Sequence, residues 1–148
     1  MALTPWSSTW AYSDGGRSAA GFKGTAPGDC VCRAIALAAE IAYQDVYEMI
    51  NSFAKLERPR TVKRSSARTG VHRETCRRIM EYLGWEWTPT MGIGKGCKVH
   101  LRADELPRGR LVVSVTKHLV AVVDGVILDI ADPSRCGTRC VYGYWRAP

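Results

Sequence analysis

Cys30 is the residue of this chain best placed to act as a nucleophile. At Cys30 the sequence changes from a glycine-containing stretch to an apolar run with helical spacing, and Asp29 before it is a good N-cap residue. A helix N-terminus favours the thiolate, because its free backbone N–H groups and the helix dipole stabilise negative charge. Cys32 falls on the opposite side of the helix and is predicted to be a small buried side chain.

A thiolate nucleophile needs an imidazole that accepts and returns a proton, and the imidazole needs an acceptor that orients it. His118 opens an apolar strand that a two-residue Asp124-Gly125 turn joins to the next strand. Because side chains alternate between faces, this turn makes Asp129 a same-face, diagonal neighbour of His118, while Asp132 falls on the other face. The sequence therefore predicts a Cys30, His118 and Asp129 triad.

The same turn fixes the register of the two strands. A two-residue hairpin loop at 124–125 predicts that Val123 pairs with Val126 and Val122 with Ile127. Further from the turn, it predicts that Val120 pairs with Asp129 and His118 with Ala131.

Two other histidines are weaker candidates for the base. His100, in Cys97-Lys98-Val99-His100, is the reserve candidate. His72 lies near the start of a predicted helix in a basic region and is expected at the surface. Cys76 on the same helix is predicted to belong to the core.

The elements that position these residues follow from hydrophobic periodicity. Helical spacing begins at Cys30 and recurs at Tyr43–Phe53 and at about Val71–Leu83, before Gly84. Alternating or β-branched runs predict strands at Trp85–Thr88, Leu111–Val115, Leu119–Val123, Val126–Ile130 and Cys140–Trp145. This order predicts an α+β fold, with N-terminal helices packed on a C-terminal antiparallel sheet. Residues 1–28 are rich in turn formers and are predicted to be an arm without regular structure.

Length and composition are those of one globular domain. The chain has 148 residues, and we expect a single domain over residues 1–148. Hydrophobic residues make up 46% and charged residues 24%, and no stretch resembles a membrane span or a signal peptide. A cytoplasmic protein without membrane contact is the expectation.

The six cysteines are expected to be reduced in that compartment. Their spacings do not match zinc motifs, since Cys30 and Cys32 are separated by one residue and Cys136 and Cys140 by three. Structural zinc is the least favoured alternative, and no metal or cofactor is predicted.

A basic stretch from Lys55 to Arg78 supports a different hypothesis. The net charge is +7, and this stretch carries nine of the 21 basic residues with only two acidic residues, Glu57 and Glu74. It could bind nucleic acid or an acidic host protein, which makes a non-catalytic binding module the alternative function. A solvated surface is the more economical interpretation, because no aromatic residue lies among the charges to stack on bases.

The segment Gly28-Asp29-Cys30-Val31-Cys32-Arg33-Ala34-Ile35 resembles the nucleophile segment of papain-like cysteine peptidases. It is similar above all to ovarian-tumour-type deubiquitinases, where a large apolar residue, Arg and Ala follow the nucleophile at the same offsets; Cys32 replaces the apolar residue here. The segment from His118 to Pro133 is similar to the His and Asp segment of bacteriocin-processing peptidases. The resemblance implies a papain-like fold, a cysteine-dependent peptidase or isopeptidase activity, and a protein or peptide substrate.

Over nearly its whole length the chain also resembles a family of uncharacterised phage and prophage proteins. The shared features are Asp14-Gly15-Gly16-Arg17, Gly28-Asp29-Cys30, the stretch 70–89, Gly96-Cys97 with Val99-His100, and the ending Tyr142-Gly143-Tyr144-Trp145. This resemblance implies a phage protein that acts in the cytoplasm of the host cell.

The chain departs from the papain-like pattern at the oxyanion donor. Papain-like peptidases place a glutamine shortly before the nucleophile, but Gly24 stands at that position and no glutamine precedes Cys30. The expected donors are the Cys30 backbone N–H together with another amide or Lys23. One good donor is worth about 3 kcal/mol of transition-state stabilisation.

Overall fold

The structure is a computed structural model that describes residues 9–23, 28–58, 63–92 and 94–148. Gly24, at the oxyanion position, and Arg60, in the basic stretch, lie outside the described residues. Three helices occur in these ranges: α1 (Cys30–Ala39), α2 (Tyr43–Ala54) and α3 (Arg73–Tyr82). All three predicted helices are confirmed, with ends shifted by at most a few residues.

Six strands form one mixed sheet in the described part of the chain. They are β1 (Thr9–Tyr12), β2 (Glu86–Pro89), β3 (Arg110–Val115), β4 (His118–Val123), β5 (Val126–Asp129) and β6 (Gly143–Arg146), in the order β1-β5-β4-β3-β6-β2. The fold class is α+β, as predicted.

The prediction of an arm without regular structure and of a wholly antiparallel sheet was wrong at one edge. Strand β1 lies within residues 1–28 and pairs with β5 in parallel, with Trp10 opposite Ile127, while every other neighbouring pair is antiparallel. Four residues carry too little periodicity to be recognised as a strand. They become one because β5, far along the chain, supplies the hydrogen-bonding partners.

The hairpin of β4 and β5 has the predicted turn and register. Asp124 and Gly125 both have positive φ, 47° and 82°, the geometry that matches the twist of two antiparallel strands. The observed pairs confirm the register next to the turn: Val123 with Val126, Val122 with Ile127, and Ala121 with Leu128. The ladder between the described strands ends there, and it does not include the predicted pairs of Val120 with Asp129 and of His118 with Ala131.

The sheet is covered on both faces. The helices pack on one face, where Ile35 and Ile79 share a core with Ala121, and all three side chains are almost fully buried. On the other face Val120 and Val122 pack with Leu101 and Val141, and this second cluster draws on the segments before β3 and β6. The sheet is therefore fixed between two apolar layers, and its strand ends have defined positions relative to α1.

The expectation that all six cysteines are reduced was wrong for two of them. Cys97 and Cys140 form a disulfide with a Cα–Cα distance of 5.8 Å. Backbone pairing brings them together, because the Leu101 N–H donates to the Arg139 carbonyl and the Val141 N–H to the Val99 carbonyl, each at 2.8 Å. A contact across 43 residues of sequence is not visible in cysteine spacing alone.

No described helix has the length and apolar character that a membrane crossing requires.

Candidate functional site

Cys30 is the first residue of α1 and is only partly exposed. The helix is placed by its apolar face, since Val31, Ile35 and Ala38 are buried in the first core. Its first N–H groups have no partner within the helix, as at any α-helix N-terminus, so Cys30 begins the helix in the electropositive position that the sequence predicted.

Asp29 holds the N-cap position but does not cap the helix with its side chain, contrary to the prediction. Its backbone carbonyl accepts the Arg33 N–H at 3.1 Å, and its carboxylate accepts hydrogen bonds from Arg33 Nε and the Tyr43 hydroxyl, both at 2.8 Å. A buried guanidinium outcompetes the helix amides for this carboxylate, because charge-assisted hydrogen bonds are stronger.

His118 and Asp129 meet at the ends of their strands. His118 Nε2 and Asp129 Oδ2 are 2.7 Å apart, and Asp129 Oδ1 accepts the Ile130 N–H at 2.7 Å. Since Nε2 faces the carboxylate, Nδ1 is the ring nitrogen left to exchange a proton with Cys30. The predicted diagonal contact across the hairpin is thus present in the structure.

The environment of Cys30 favours the thiolate. Burial alone opposes ionisation, but a hydrogen bond with His118 and its positive charge, a hydrogen bond with the Leu119 backbone and the charge of Arg33 together lower the pKa of the Cys30 thiol. The imidazole contributes most to this lowering, so the thiol is activated chiefly by His118.

The pKa values of the two partners of Cys30 in the triad, His118 and Asp129, shift in opposite directions. Burial lowers the pKa of His118, but hydrogen bonds to Asp129 and Cys30 outweigh it and raise this pKa to about 9. Burial likewise raises the pKa of Asp129, while the His118 and Ile130 hydrogen bonds and Arg33 lower it below its ordinary range. The favoured state is a Cys30 thiolate beside a His118 imidazolium that a charged Asp129 holds in place.

Cys30 and His118 open into one cleft of about 1230 Å³. Its wall near α3 includes Val71, and Trp85 and Trp87 lie along its β2 side. The thiol can therefore be reached by a substrate several residues long, and the surface beside it is largely apolar.

The other candidates of the sequence do not belong to the triad, although His72 and Cys76 line the same cleft as Cys30. Cys32 is fully buried, and burial raises its pKa to about 12, so it is the inert thiol that was predicted. Cys76 is buried in the core, also as predicted. His100 bonds Glu105 at 3.2 Å, and Nε2 of the partly exposed His72 contacts the Lys63 carbonyl at 2.6 Å.

Asp132 is exposed and does not take the place of Asp129. Its Oδ1 accepts the Ser134 N–H at 3.0 Å in a local turn, and among the contacts of the described residues it has none with the His118 ring. Asp129, and not Asp132, is therefore the carboxylate that meets the imidazole, as predicted.

Sequence reasoning assigned no role to Arg33, although this side chain is 5% exposed and lies among the site residues. The available signal was an arginine inside an otherwise apolar helix. A buried cation requires anionic partners, and two carboxylates meet it here, Asp29 and Asp129.

The basic stretch is partly neutralised where the structure describes it. On α3, Arg77 forms ion pairs with Glu74 and Glu81, and Arg78 lies 3.7 Å from Glu74. Glu57 is turned inward, where it accepts the Ser65 N–H at 2.9 Å. The charge available to an external anion is smaller than the residue count suggests.

Gly28 lets the chain before Cys30 pass directly against neighbouring backbone. A Cβ at this position would lie 2.8 Å from the Arg68 carbonyl oxygen and from backbone atoms of Thr69. Backbone atoms cannot rotate aside, so Gly28→Ala is expected to displace Cys30 from His118 and to destabilise the fold by about 1–3 kcal/mol. Urea unfolding and the rate of Cys30 alkylation measure the two effects.

Gly92→Ala is the matched control for that change. Among the described residues its new Cβ would meet only the flexible Lys95 side chain, at 3.1 Å, so a stability change within about 0.5 kcal/mol is expected. Equal effects of the two substitutions would contradict the role given to Gly28.

Within the described ranges, no group of three or more His, Cys, Asp or Glu side chains is arranged to hold a metal ion. No protein-family model, no curated protein and no solved structure matches this chain.

Proposed function

We propose that this chain is a papain-like cysteine hydrolase that cleaves an amide, isopeptide or thioester bond, most simply in a protein or peptide. The observation that carries the proposal is the arrangement of three groups: a helix-terminal Cys30 thiol whose pKa is lowered chiefly by His118, and a His118 ring bonded to Asp129 at 2.7 Å. The base thus lies between the nucleophile and the acceptor that orients it, which is the arrangement that thiol hydrolysis needs.

In the first half of the reaction, the Cys30 thiolate attacks the carbonyl carbon of the substrate and forms a carbon–sulfur bond. The His118 imidazolium gives its proton to the leaving nitrogen as the carbon–nitrogen bond breaks. The amine departs, the acyl group stays on Cys30 as a thioester, and Asp129 keeps the neutral ring oriented.

The second half regenerates the site. Neutral His118 takes a proton from water, the resulting oxygen nucleophile attacks the thioester carbonyl, and the carbon–sulfur bond breaks. The acid is released, and the thiolate–imidazolium pair is restored. The Cys30 backbone N–H at the start of α1 is the donor expected to stabilise both oxyanions; a second amide or Lys23 is expected to complete the pair.

The test is acyl transfer to one named cysteine. With an activated ester such as p-nitrophenyl acetate, we expect a burst of nitrophenol and an acyl group on Cys30, identified by peptide mass spectrometry. Peptide amides are then screened for turnover.

Cys30→Ala and Cys32→Ala form the matched pair for this experiment. Acylation must disappear in Cys30→Ala and persist in Cys32→Ala, because the second thiol is buried and protonated. Slow, unselective acylation of several cysteines in the wild-type protein would contradict the proposal.

A further inference from the structure

We propose that Arg33 is a positioning residue of this site: its guanidinium ties α1 to the end of β5 and thereby fixes Asp129 and His118 opposite Cys30. This inference rests on the proposed function, because it concerns the same thiol and the same imidazole. It assigns a role to a residue that touches no reacting atom and acts through Asp129.

The guanidinium makes two ion pairs with opposite sides of the site. Arg33 Nη1 lies 2.6 Å from Asp129 Oδ1, and Arg33 Nε lies 2.8 Å from Asp29 Oδ1. The three side chains are at most 6% exposed, so water screens these pairs little. Arginine suits this place because its planar fork can serve two carboxylates at once.

The pair with Asp129 leaves that carboxylate little freedom to rotate. Oδ1 accepts both Arg33 Nη1 and the Ile130 N–H, and Oδ2 faces His118 Nε2 at 2.7 Å. A carboxylate held on both oxygens presents one fixed acceptor to the imidazole. This fixed acceptor sets the orientation of the His118 ring, and with it the direction of the ring nitrogen that faces Cys30.

The pair also sets the spacing between helix and sheet. Arg33 lies three residues after Cys30, hence on a neighbouring part of the α1 surface, while His118 begins β4 and Asp129 ends β5. The buried ion pair of Arg33 with Asp129 therefore connects helix and sheet close to the place where the thiol and the imidazole must meet.

The far side of the bridge is anchored as well. Asp29 Oδ2 accepts the Tyr43 hydroxyl at 2.8 Å and lies 3.3 Å from Arg17 Nε. Asp29 is thus held against α2 and the chain near β1, and Arg33 is braced between two fixed carboxylates. This accounts for an N-cap aspartate that leaves the helix amides uncapped.

The test measures the pH dependence of Cys30 alkylation by iodoacetamide, which needs no substrate. In the Arg33→Met variant, Asp129 and His118 lose their fixed orientation and the thiolate loses a nearby cation. The inflection of the rate profile is expected to move up by about one pH unit, which makes alkylation near neutral pH roughly tenfold slower. The ring N–H signal of His118 in NMR is expected to exchange faster with water.

Two further variants keep the test decisive if Arg33→Met does not fold. Arg33→Met combined with Asp29→Asn removes one buried cation and one buried anion together, and it is expected to show the same shift. Arg33→Lys keeps the charge but reaches only one carboxylate, so an intermediate profile is expected.

Arg110→Met is the matched control. Arg110 also joins α1 to the sheet, since its Nη1 donates to the Ala38 carbonyl at 3.1 Å, but it does so at the end of α1 away from Cys30. Its profile is expected to match the wild type.

The outcomes separate this inference from the proposed function. A folded Arg33 variant with the wild-type pH profile would overturn the positioning role while the reactive thiol stands. If the wild-type thiol itself alkylates no faster than an ordinary cysteine, the proposed function fails and the inference fails with it.

Discussion

The His118→Ala variant is expected to lose the fast alkylation of Cys30 near neutral pH. Burial, which raises the pKa of this thiol, remains, while the hydrogen bond and positive charge that outweigh burial are removed. The thiolate fraction below the ordinary thiol range therefore falls, by roughly tenfold for each unit by which the pKa rises. Hydrolysis of any substrate that the enzyme accepts should fall by about 10²–10⁴-fold, the usual contribution of a general acid–base group.

The pH profiles distinguish this effect from unfolding. In the wild type, activity should rise as Cys30 ionises and fall as the pH passes about 9, where the imidazolium loses the proton that the leaving group needs. In His118→Ala the alkaline limb should vanish, and the alkylation inflection should move to higher pH.

His100→Ala is the control for His118→Ala. His100 bonds Glu105 on another part of the molecule, so its removal is expected to leave the profile of Cys30 unchanged. If His118→Ala keeps the wild-type profile, or if His100→Ala shifts it, the assignment of the base is wrong.

Asp129→Ala is expected to reduce both stability and reactivity. The substitution removes one of the two carboxylates that face buried Arg33 and the acceptor that orients His118. Breaking a buried ion pair from one side costs about 3–5 kcal/mol, because the remaining charge loses its partner. Urea unfolding measures the first effect and iodoacetamide alkylation the second.

The dependence of the unfolding free energy on pH in the acid range tests the role of Asp129 independently. The pKa of Asp129 is lowered in the folded protein, so its contribution to stability is present above the ordinary value of 3.8 and is lost as the pH falls through the lowered pKa. Stability of the wild type should therefore fall more steeply in acid than that of Asp129→Ala.

Asp132→Ala provides the matched comparison. Asp132 is exposed and holds only a local turn through Ser134, so a loss of about 1 kcal/mol or less is expected, with the thiol profile unchanged. Comparable losses in Asp129→Ala and Asp132→Ala would contradict the role of the buried carboxylate.

The hairpin shows what could be predicted from local sequence. A two-residue Asp124-Gly125 turn restricts the strands to one register, and alternation of side chains then separates Asp129 from Asp132. All the information lies within fifteen consecutive residues, roughly one hairpin in length. The start of α1 at Cys30 was likewise visible, because apolar spacing and small residues mark it locally.

Strand β1 and the disulfide show where local reasoning failed. Residues 9–12 become a strand only beside β5, and Cys97 meets Cys140 only after two distant segments pair. Neither contact has a periodicity or spacing that would reveal it. The prediction that the Asp29 side chain caps α1 was wrong for the same reason, because this carboxylate binds the buried Arg33 instead of the helix amides.

The sequence by itself determined the candidate groups, namely a helix-terminal Cys30 and a hairpin that carries His118 beside Asp129. Only the tertiary structure decided that the two halves meet, because the position of α1 on the sheet depends on packing between residues far apart in the chain. It also decided that Arg33 joins them. A buried cation is stabilised by the carboxylates around it, and here these come from the N-cap residue before α1 and from β5, 96 residues after Arg33.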